Sequence, residues 1–282
     1  MTTVDITIGR RPEPREPGSG TKGFFTDTST CIGCKACEVA CKQWNQLPDD
    51  GIELTGMSYD NTGMLNASTW RHVKFIERPV PLEGVRSTLA DFSWLMMSDV
   101  CKHCTSAACL ESCPTGAIVR TEFGSTLIQP DVCNGCGACN AACPFGVADK
   151  LPDDGRSWKC TMCYDRQVDG FEPACAKSCP TQAIRFGDLD ELREEADARL
   201  ADLHERGVTA ARLYGESAAA QPGTGGLHAF YLLLDEPEVY GLPAQPRAWS
   251  REAPRGWRSV AVAGAVLVGA LTGAVLGTRR AG

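Results

Sequence analysis

The chain has 282 residues, a formal net charge of −7 at pH 7 and 43% hydrophobic residues. This composition is sufficient for a sizeable core in one domain or two small ones. The modest charge and the lack of a dense Lys/Arg run argue against nucleic-acid binding. Sixteen cysteines are far above ordinary usage, so cysteine chemistry is the first function class to consider.

Residues 1–23 are polar and rich in Pro and Gly, and we expect a flexible tail there. The Arg10-Arg11 pair resembles a twin-arginine export signal, but no hydrophobic stretch follows it. Disulfides would suit a small secreted protein, and neither the length nor this tail favours that class.

The cysteines fall into four groups of four, and none is left over. Group one is spaced C-x2-C-x2-C-x3-C and consists of Cys31, Cys34, Cys37 and Cys41. Group two is spaced C-x2-C-x4-C-x3-C and consists of Cys101, Cys104, Cys109 and Cys113. Group three repeats the first spacing with Cys133, Cys136, Cys139 and Cys143. Group four has a long insertion after its second cysteine and consists of Cys160, Cys163, Cys175 and Cys179.

This spacing is typical of ligands to [4Fe–4S] clusters. A C-x2-C-x2-C loop places three thiolates at three corners of a cubane, and the fourth cysteine points away to a different cluster. The groups therefore work in reciprocal pairs. Each group gives three ligands to one cluster and one ligand to the cluster of its partner group. Structural zinc also uses paired C-x2-C motifs, but it does not need the third and fourth cysteines at these spacings.

The segment between groups two and three indicates which groups pair. Ile118-Val119 and Leu127-Ile128 flank a turn around Phe123-Gly124-Ser125, which predicts a β-hairpin. Two cysteine motifs separated by a hairpin are the layout of a bacterial two-cluster ferredoxin. Groups two and three thus form an inner unit, and by elimination groups one and four form an outer one.

Four predicted ligand sets follow from this pairing. The outer unit has the sets Cys31, Cys34, Cys37 with Cys179, and Cys160, Cys163, Cys175 with Cys41. The inner unit has the sets Cys101, Cys104, Cys109 with Cys143, and Cys133, Cys136, Cys139 with Cys113. All sixteen cysteines are predicted iron ligands, and the cofactors are predicted to be four [4Fe–4S] clusters.

The remaining segments before group three carry weaker signals. Residues 48–66 are predicted to be an exposed excursion, either a partner interface or a solvated loop. Residues 70–78 alternate like a strand, and residues 92–97 are apolar enough to be core. Lys102 and His103 could tune a cluster through charge or hydrogen bonds, although residues at such positions more often face solvent.

After group four, residues 188–214 predict an amphipathic helix, residues 216–226 an Ala/Gly/Pro linker and residues 227–234 a buried strand. A proline-punctuated tether follows. Residues 259–277 contain no charged residue and would span roughly 28 Å as a helix, about the thickness of the hydrocarbon core of a bilayer. We expect this segment to be a transmembrane helix.

The predicted fold class is α+β: two bacterial-ferredoxin-like two-cluster units, one inserted in the other, plus a C-terminal transmembrane helix. The predicted segments are a tail (1–23), the outer unit (24–100 and 144–187), the inner unit (101–143), the helix and strand (188–236), a tether (237–258) and the membrane helix (259–277). No nucleophile–base pair, phosphate-binding loop or dinucleotide fingerprint is visible, so the chain is predicted to carry no catalytic residue of its own.

The cysteine motifs carry a resemblance to a known family. The segments FFTDTSTCIGCKACEVACKQWN, SDVCKHCTSAACLESCPTGAI, CNGCGACNAACPFGV and KCTMCYDR resemble the β subunit of membrane-bound formate dehydrogenase, among the iron–sulfur subunits of molybdopterin oxidoreductases. VYGLP at 239–243 and the apolar segment near the C-terminus agree with this resemblance. It covers roughly residues 24–277.

The resemblance implies an electron-transfer subunit placed between a molybdopterin (Mo or W) catalytic subunit and a membrane cytochrome b. Electrons from formate would pass through four [4Fe–4S] clusters towards quinone. It also implies the pairing of groups one with four and two with three. The equivalent subunit of a membrane-bound hydrogenase or of another molybdopterin oxidoreductase, a zinc-structured protein and a chain that oxidises formate by itself remain as alternatives.

The apolar segment predicts a membrane-anchored protein, and the side of the membrane on which the soluble part lies stays open. Four arginines precede the apolar segment and two follow it: Arg247, Arg251, Arg255, Arg258, Arg279 and Arg280. By the positive-inside rule this count favours a cytoplasmic soluble part. A domain exported in the folded state need not follow that rule.

Overall fold

The computed structural model describes residues 20–51, 56, 59, 60, 62–79, 92–248, 260 and 262–268. Ten strands are present in these ranges: β1 Lys22–Asp27, β2 Arg71–Pro79, β3 Phe92–Val100, β4 Ile118–Arg120, β5 Thr126–Ile128, β6 Asp149–Lys150, β7 Ser157–Trp158, β8 Ile184–Asp188, β9 Arg212–Tyr214 and β10 Ala229–Leu233. The helices are α1 Ala36–Asn45, α2 Ala108–Ser112, α3 Ala138–Ala142, α4 Tyr164–Val168, α5 Ala174–Lys177 and α6 Leu189–Glu205, with a short 3-10 helix at Pro237–Tyr240.

A four-stranded sheet of order β8-β1-β10-β9 joins the first strand of the described residues to the last three. Strand β1 pairs antiparallel with β8, and Phe24 lies opposite Phe186 in that register. On its other edge β1 pairs parallel with β10, where Phe25 lies opposite Phe230. Because β1 precedes Cys31 and β8 follows Cys179, this sheet brings the beginning of group one beside the end of group four.

Three two-stranded sheets complete the β structure of the described residues. Strands β2 and β3 pair antiparallel along their length, from Arg71 opposite Val100 to Pro79 opposite Phe92. The hairpin predicted between groups two and three is present as β4 and β5, with Ile118 opposite Ile128. The strand predicted at 70–78 and the core segment predicted at 92–97 are thus both part of the β2–β3 pair.

The larger apolar core lies between the four-stranded sheet and α6. Phe25 and Phe230 stack in it with ring centroids 5.3 Å apart. Helix α6 adds Leu192, Ala196 and Leu203 to this core, and their spacings of four and seven residues place them on one helical face. A second core cluster lies around Phe24, and it contains cysteines from groups one, two and four.

The amphipathic helix is shorter than its sequence pattern predicts. It begins after the N-cap Asp188, whose side chain accepts a hydrogen bond from Asp190 N, and it ends at Glu205 rather than near residue 214. Gly207 adopts a φ of +86°, a left-handed conformation that stops the helix. Residues 212–214 instead form β9, because the edge of β10 offers them backbone partners.

The segment predicted as a linker and the described part of the predicted tether, residues 237–248, are packed against the protein. In the linker, Thr224 is buried and its carbonyl accepts a hydrogen bond from Ser106 N at 2.7 Å. In the tether, Tyr240 is buried and its hydroxyl accepts a hydrogen bond from Leu234 N at 3.1 Å. Ala248 N then donates to Gly223 O at 3.0 Å, so the tether returns to the linker. Composition alone did not indicate this packing.

The two chain ends were predicted as a tail and a membrane helix. Residues 1–19 lie outside the described residues, and β1 already includes the last two residues of the predicted tail. Of the predicted membrane helix, only residues 260 and 262–268 are described, and they are helical. No helix within the described ranges is both long and apolar enough to cross a bilayer.

Truncation of Phe230 tests the core between the sheet and α6. Phe230→Ala removes a fully buried ring and should cost about 3–5 kcal/mol. This loss corresponds to a fall of about 6 °C or more in the unfolding midpoint measured by circular dichroism. Phe171→Ala, at a ring that is 61% exposed, should leave the midpoint almost unchanged. Equal midpoints for the two variants would contradict the assignment of this core.

Candidate functional site

Each of the four cysteine groups contains the same kind of backbone turn after its first cysteine. The second residue after the first cysteine has a positive φ in every group: +66° at Gly33, +43° at His103, +71° at Gly135 and +59° at Met162. This conformation is easy for glycine and uncommon for other residues. In group four it directs the N–H of Met162 to Cys160 Sγ at 3.2 Å. The turn thus supplies a backbone donor to a thiol sulfur.

The third cysteine of each group lies on a short helix. These helices are α1, α2, α3 and α5, and they carry Cys37, Cys109, Cys139 and Cys175. The fourth cysteine follows four residues later, at the end of the helix or just beyond it, and on α1 it is still helical. Four residues are about one turn. The thiols of the third and fourth cysteines of a group can therefore point into two adjacent cluster sites.

Two surface pockets are each lined by four thiols. One is lined by Cys31, Cys34 and Cys37 of group one together with Cys179 of group four. The other is lined by Cys133, Cys136 and Cys139 of group three together with Cys113 of group two. In each pocket three cysteines come from one motif and one from its partner motif.

The other eight thiols lie deeper in the protein. Burial raises the pKa of Cys41, and the neighbouring Cys160, Cys175 and Cys163 raise it further. Burial likewise raises the pKa of Cys104, followed by the effects of Cys143, Cys101 and Cys109. These neighbours are the same two sets that the sequence pairing predicts.

All sixteen cysteines are free, and most are at least partly buried. Burial raises the pKa of Cys109 to about 12, an effect that Lys159 partly offsets, so without a bound cation this thiol is neutral at pH 7. Cluster ligation uses thiolates, and loading therefore has to release protons. No three Cys, His, Asp or Glu in the described part of the chain lie close enough to hold a single metal ion.

Lys102 and His103 do not face solvent, contrary to the more common situation for such loop residues. Each is 1% exposed. Lys102 forms an ion pair with Asp99, and its Nζ also donates to Val100 O at 2.8 Å. His103 Nδ1 accepts a hydrogen bond from Thr126 N at 3.2 Å. Their burial has a tertiary cause, since His228 N and Ala229 N both donate to Lys102 O and so cover this loop with the start of β10.

Two further buried cations were not identified from the sequence. Lys159 precedes Cys160, and its Nζ donates to the carbonyl oxygens of Thr126 and Cys160. Arg71 lies on β2, and its Nη2 donates to Cys175 Sγ at 3.3 Å. Adjacency to a cysteine could have indicated Lys159. Nothing in the local sequence indicates Arg71, which is more than one hundred positions from Cys175.

The residues fit a thiolate-bound iron–sulfur group. The donor atoms in both surface pockets are cysteine sulfurs, the soft ligands that such clusters use. Buried cations lie beside the sulfurs and compensate the negative charge that thiolates would carry. Residues 92–189 match the family model described as "4Fe-4S dicluster domain". The fold and site therefore define an iron–sulfur electron-transfer protein.

Relatives place the protein within this class. It is 44% identical over 252 residues to the formate dehydrogenase iron–sulfur subunit of Haemophilus influenzae, covering 86% of this chain and 76% of the relative. It is 42% identical over 257 residues to the nitrate-inducible formate dehydrogenase iron–sulfur subunit of Escherichia coli, covering 88% and 83%. One chain of the anaerobic dimethyl sulfoxide reductase of E. coli is 36% identical over 173 residues, covering 61% and 76%.

The protein belongs to the family of formate dehydrogenase iron–sulfur subunits. It is an electron-transfer subunit, and its cofactors are four [4Fe–4S] clusters. The family resemblance and the cofactor predicted from the cysteine spacing are thereby confirmed, and the zinc alternative is set aside.

Gly135→Ala tests the turn in group three. The residue has a φ of +71°, and an added Cβ would overlap the carbonyl oxygen of Gly155. The loop should shift and lose its cluster, so iron should fall from about sixteen to about twelve per chain. Gly146→Ala is the matched control, since its φ is +62° and a Cβ there meets nothing within 4 Å. Full iron in Gly135→Ala, measured after anaerobic purification, would contradict this role of the turn.

Proposed function

We propose that this chain carries electrons between a formate-oxidising catalytic subunit that holds a molybdopterin cofactor and a membrane cytochrome b. The observation that carries the proposal is the identity to two formate dehydrogenase iron–sulfur subunits over more than four-fifths of this chain. When bound, [4Fe–4S] clusters supply one-electron carriers whose potentials depend on burial and on hydrogen bonds to sulfur. The chain's own part is to hold them in order and away from water.

We further propose the four ligand sets predicted above. Their support is the convergence of three thiols of one group with one of its partner group at each surface pocket, and the same combination of neighbours around Cys41 and Cys104. The sets Cys31/Cys34/Cys37/Cys179, Cys160/Cys163/Cys175/Cys41, Cys101/Cys104/Cys109/Cys143 and Cys133/Cys136/Cys139/Cys113 are named A, B, C and D. The inner unit then holds C and D, and the outer unit holds A and B.

Contacts between the sets support a linear order A-B-C-D. Cys175 of set B is a charge neighbour of Cys37 in set A. Cys101 of set C is the foremost thiol neighbour of Cys160 in set B. Cys139 of set D is a neighbour of Cys109 in set C. Sets A and D each line a surface pocket, and each contains an exposed cysteine, Cys34 or Cys136. Electrons would therefore enter at one end and leave at the other.

Single cysteine substitutions test the ligand sets. Cys179→Ala should remove the same electron paramagnetic resonance signal as Cys34→Ala, because both residues belong to set A. Cys41→Ala should instead remove the signal lost in Cys163→Ala. Loss of the set B signal in Cys179→Ala, with the set A signal intact, would overturn the reciprocal pairing of groups one and four.

We also propose residues 259–277 as a membrane anchor. The support is their uncharged composition, the length of roughly 28 Å that nineteen residues would have as a helix, and the exposed apolar side chains of Val260, Val262 and Val266.

Anaerobic purification from native membranes tests the partners and the anchor together. The intact chain should be recovered in the membrane fraction with a molybdopterin protein and a cytochrome b, and the complex should oxidise formate. In cells that lack the partner subunits, a chain that ends at residue 258 should keep its iron but shift from the membrane to the soluble fraction. A nickel-containing partner would move the function to hydrogen oxidation. Retention of the shortened chain in membranes lacking the partner subunits would contradict the anchor.

A further inference from the structure

The described part of the chain contains a buried cation with an unusual set of neighbours. Arg71 is 1% exposed, and none of the ion pairs among the described residues includes it. Its guanidinium lies over the ring of Phe24, with the Cζ atom 4.8 Å from the centroid. Its Nε is buried without a hydrogen-bond partner. A buried charge without a counter-ion is costly, so an anion is expected next to this guanidinium.

The neighbours of Arg71 are cysteines of two different ligand sets. Nη2 donates to Cys175 Sγ of set B at 3.3 Å. Nη1 lies 3.3 Å from Ser98 Oγ, and that hydroxyl lies 3.2 Å from Cys37 Sγ of set A. Arg71 thus reaches one sulfur of set B directly and one sulfur of set A through a single hydroxyl group.

The backbone fixes this position. Arg71 begins β2 and lies opposite Val100 at the end of β3, next to Cys101. Two residues further along β2, Val73 lies opposite Ser98. Side chains at alternate positions share a face of the pair, and both Arg71 and Ser98 point into the core cluster around Phe24. The β2–β3 pair therefore carries the guanidinium between the two cysteine sets of the outer unit.

The charge has a direct consequence for electron transfer. A cubane bound by four thiolates is an anion and becomes more negative by one charge on reduction. A fixed positive charge nearby stabilises the reduced state more than the oxidised state, and it does so more strongly where water is excluded. Arginine suits the role because it keeps its charge at every physiological pH.

We propose that Arg71 raises the reduction potentials of the clusters held by sets A and B. The inference rests on the ligand sets proposed above. It adds a specific residue that controls the potentials and is not itself a ligand. The pKa of Arg71 is raised above its ordinary value, against the effect of burial, by Cys175 and Cys37, in agreement with the geometry.

Three variants of the complete complex separate charge from geometry. Arg71→Gln removes the charge and keeps a polar side chain with hydrogen-bond donors, although a shorter one. Arg71→Lys keeps the charge but not the planar fork of donors. Arg78→Gln removes a cation from the same strand, where the side chain is half exposed and pairs with Asp235. The readouts are iron and sulfide content and the four cluster potentials, measured by redox titration followed by electron paramagnetic resonance.

Arg71→Gln should retain about sixteen irons per chain. The reduction equilibrium constants of two of its four clusters should fall at least tenfold, which is 59 mV for a one-electron couple. The other two should change less than threefold, and Arg71→Lys and Arg78→Gln should remain within threefold of the unaltered complex at all four. Unchanged potentials in Arg71→Gln would overturn the proposal, and so would a tenfold shift in Arg71→Lys.

Iron content keeps this test separate from the proposed function. If Arg71→Gln loses iron, Arg71→Lys decides: full iron with unaltered potentials supports the role of the charge, and loss of iron in both variants overturns it. An iron content far below sixteen in the unaltered complex would count against the ligand sets themselves. Full iron with unmoved potentials would count against Arg71 alone.

Discussion

The antiparallel pairing of β1 with β8 is the constraint on which the rest of the structure depends. It joins residues 22–26 to residues 184–188 and thereby brings Cys31 and Cys179 to the same surface pocket. The parallel pairing of β1 with β10 adds a segment from more than two hundred residues away. The start of that strand covers the group two loop through hydrogen bonds to Lys102. Strand β1, through its two pairings, thus supports cysteine loops in both the outer and the inner unit.

The second important feature of this molecule is the presence of buried charged side chains near the cysteines. Clusters that transfer electrons have to be shielded from water, and thiolates in a shielded site need compensation. Lys102 is balanced by Asp99, whose carboxyl is also bonded by the Tyr231 hydroxyl at 3.1 Å. Burial alone would raise the pKa of Asp99, but Lys102 and Lys74 outweigh it and hold that pKa well below its usual range. Lys159 and Arg71 lie instead beside cysteines and carbonyl oxygens.

The segment after group four shows how far composition can mislead. Residues 216–226 have the small and polar composition of a free linker, yet Thr224 and Gln221 are buried and the backbone is bonded to residues 105 and 106. Glycine serves here for close approach, since a Cβ on Gly223 would overlap the carbonyl oxygen of Pro246. The composition permits flexibility, whereas the fold uses the same residues for tight packing.

The cofactor, the division of the sixteen cysteines into four groups and the hairpin between groups two and three could all be predicted from the sequence. So could a buried strand over residues 227–234, which the structure has at Ala229–Leu233. These features are local: ligand spacing within a motif and alternation within a strand are properties of a few consecutive residues. Three features could not be predicted from the sequence: the end of α6 at Glu205, the burial of Lys102 and His103, and the contact of Arg71 with Cys175. These outcomes depend on pairing between segments that are far apart in the chain, and no local pattern records which partner a strand edge or a guanidinium will meet.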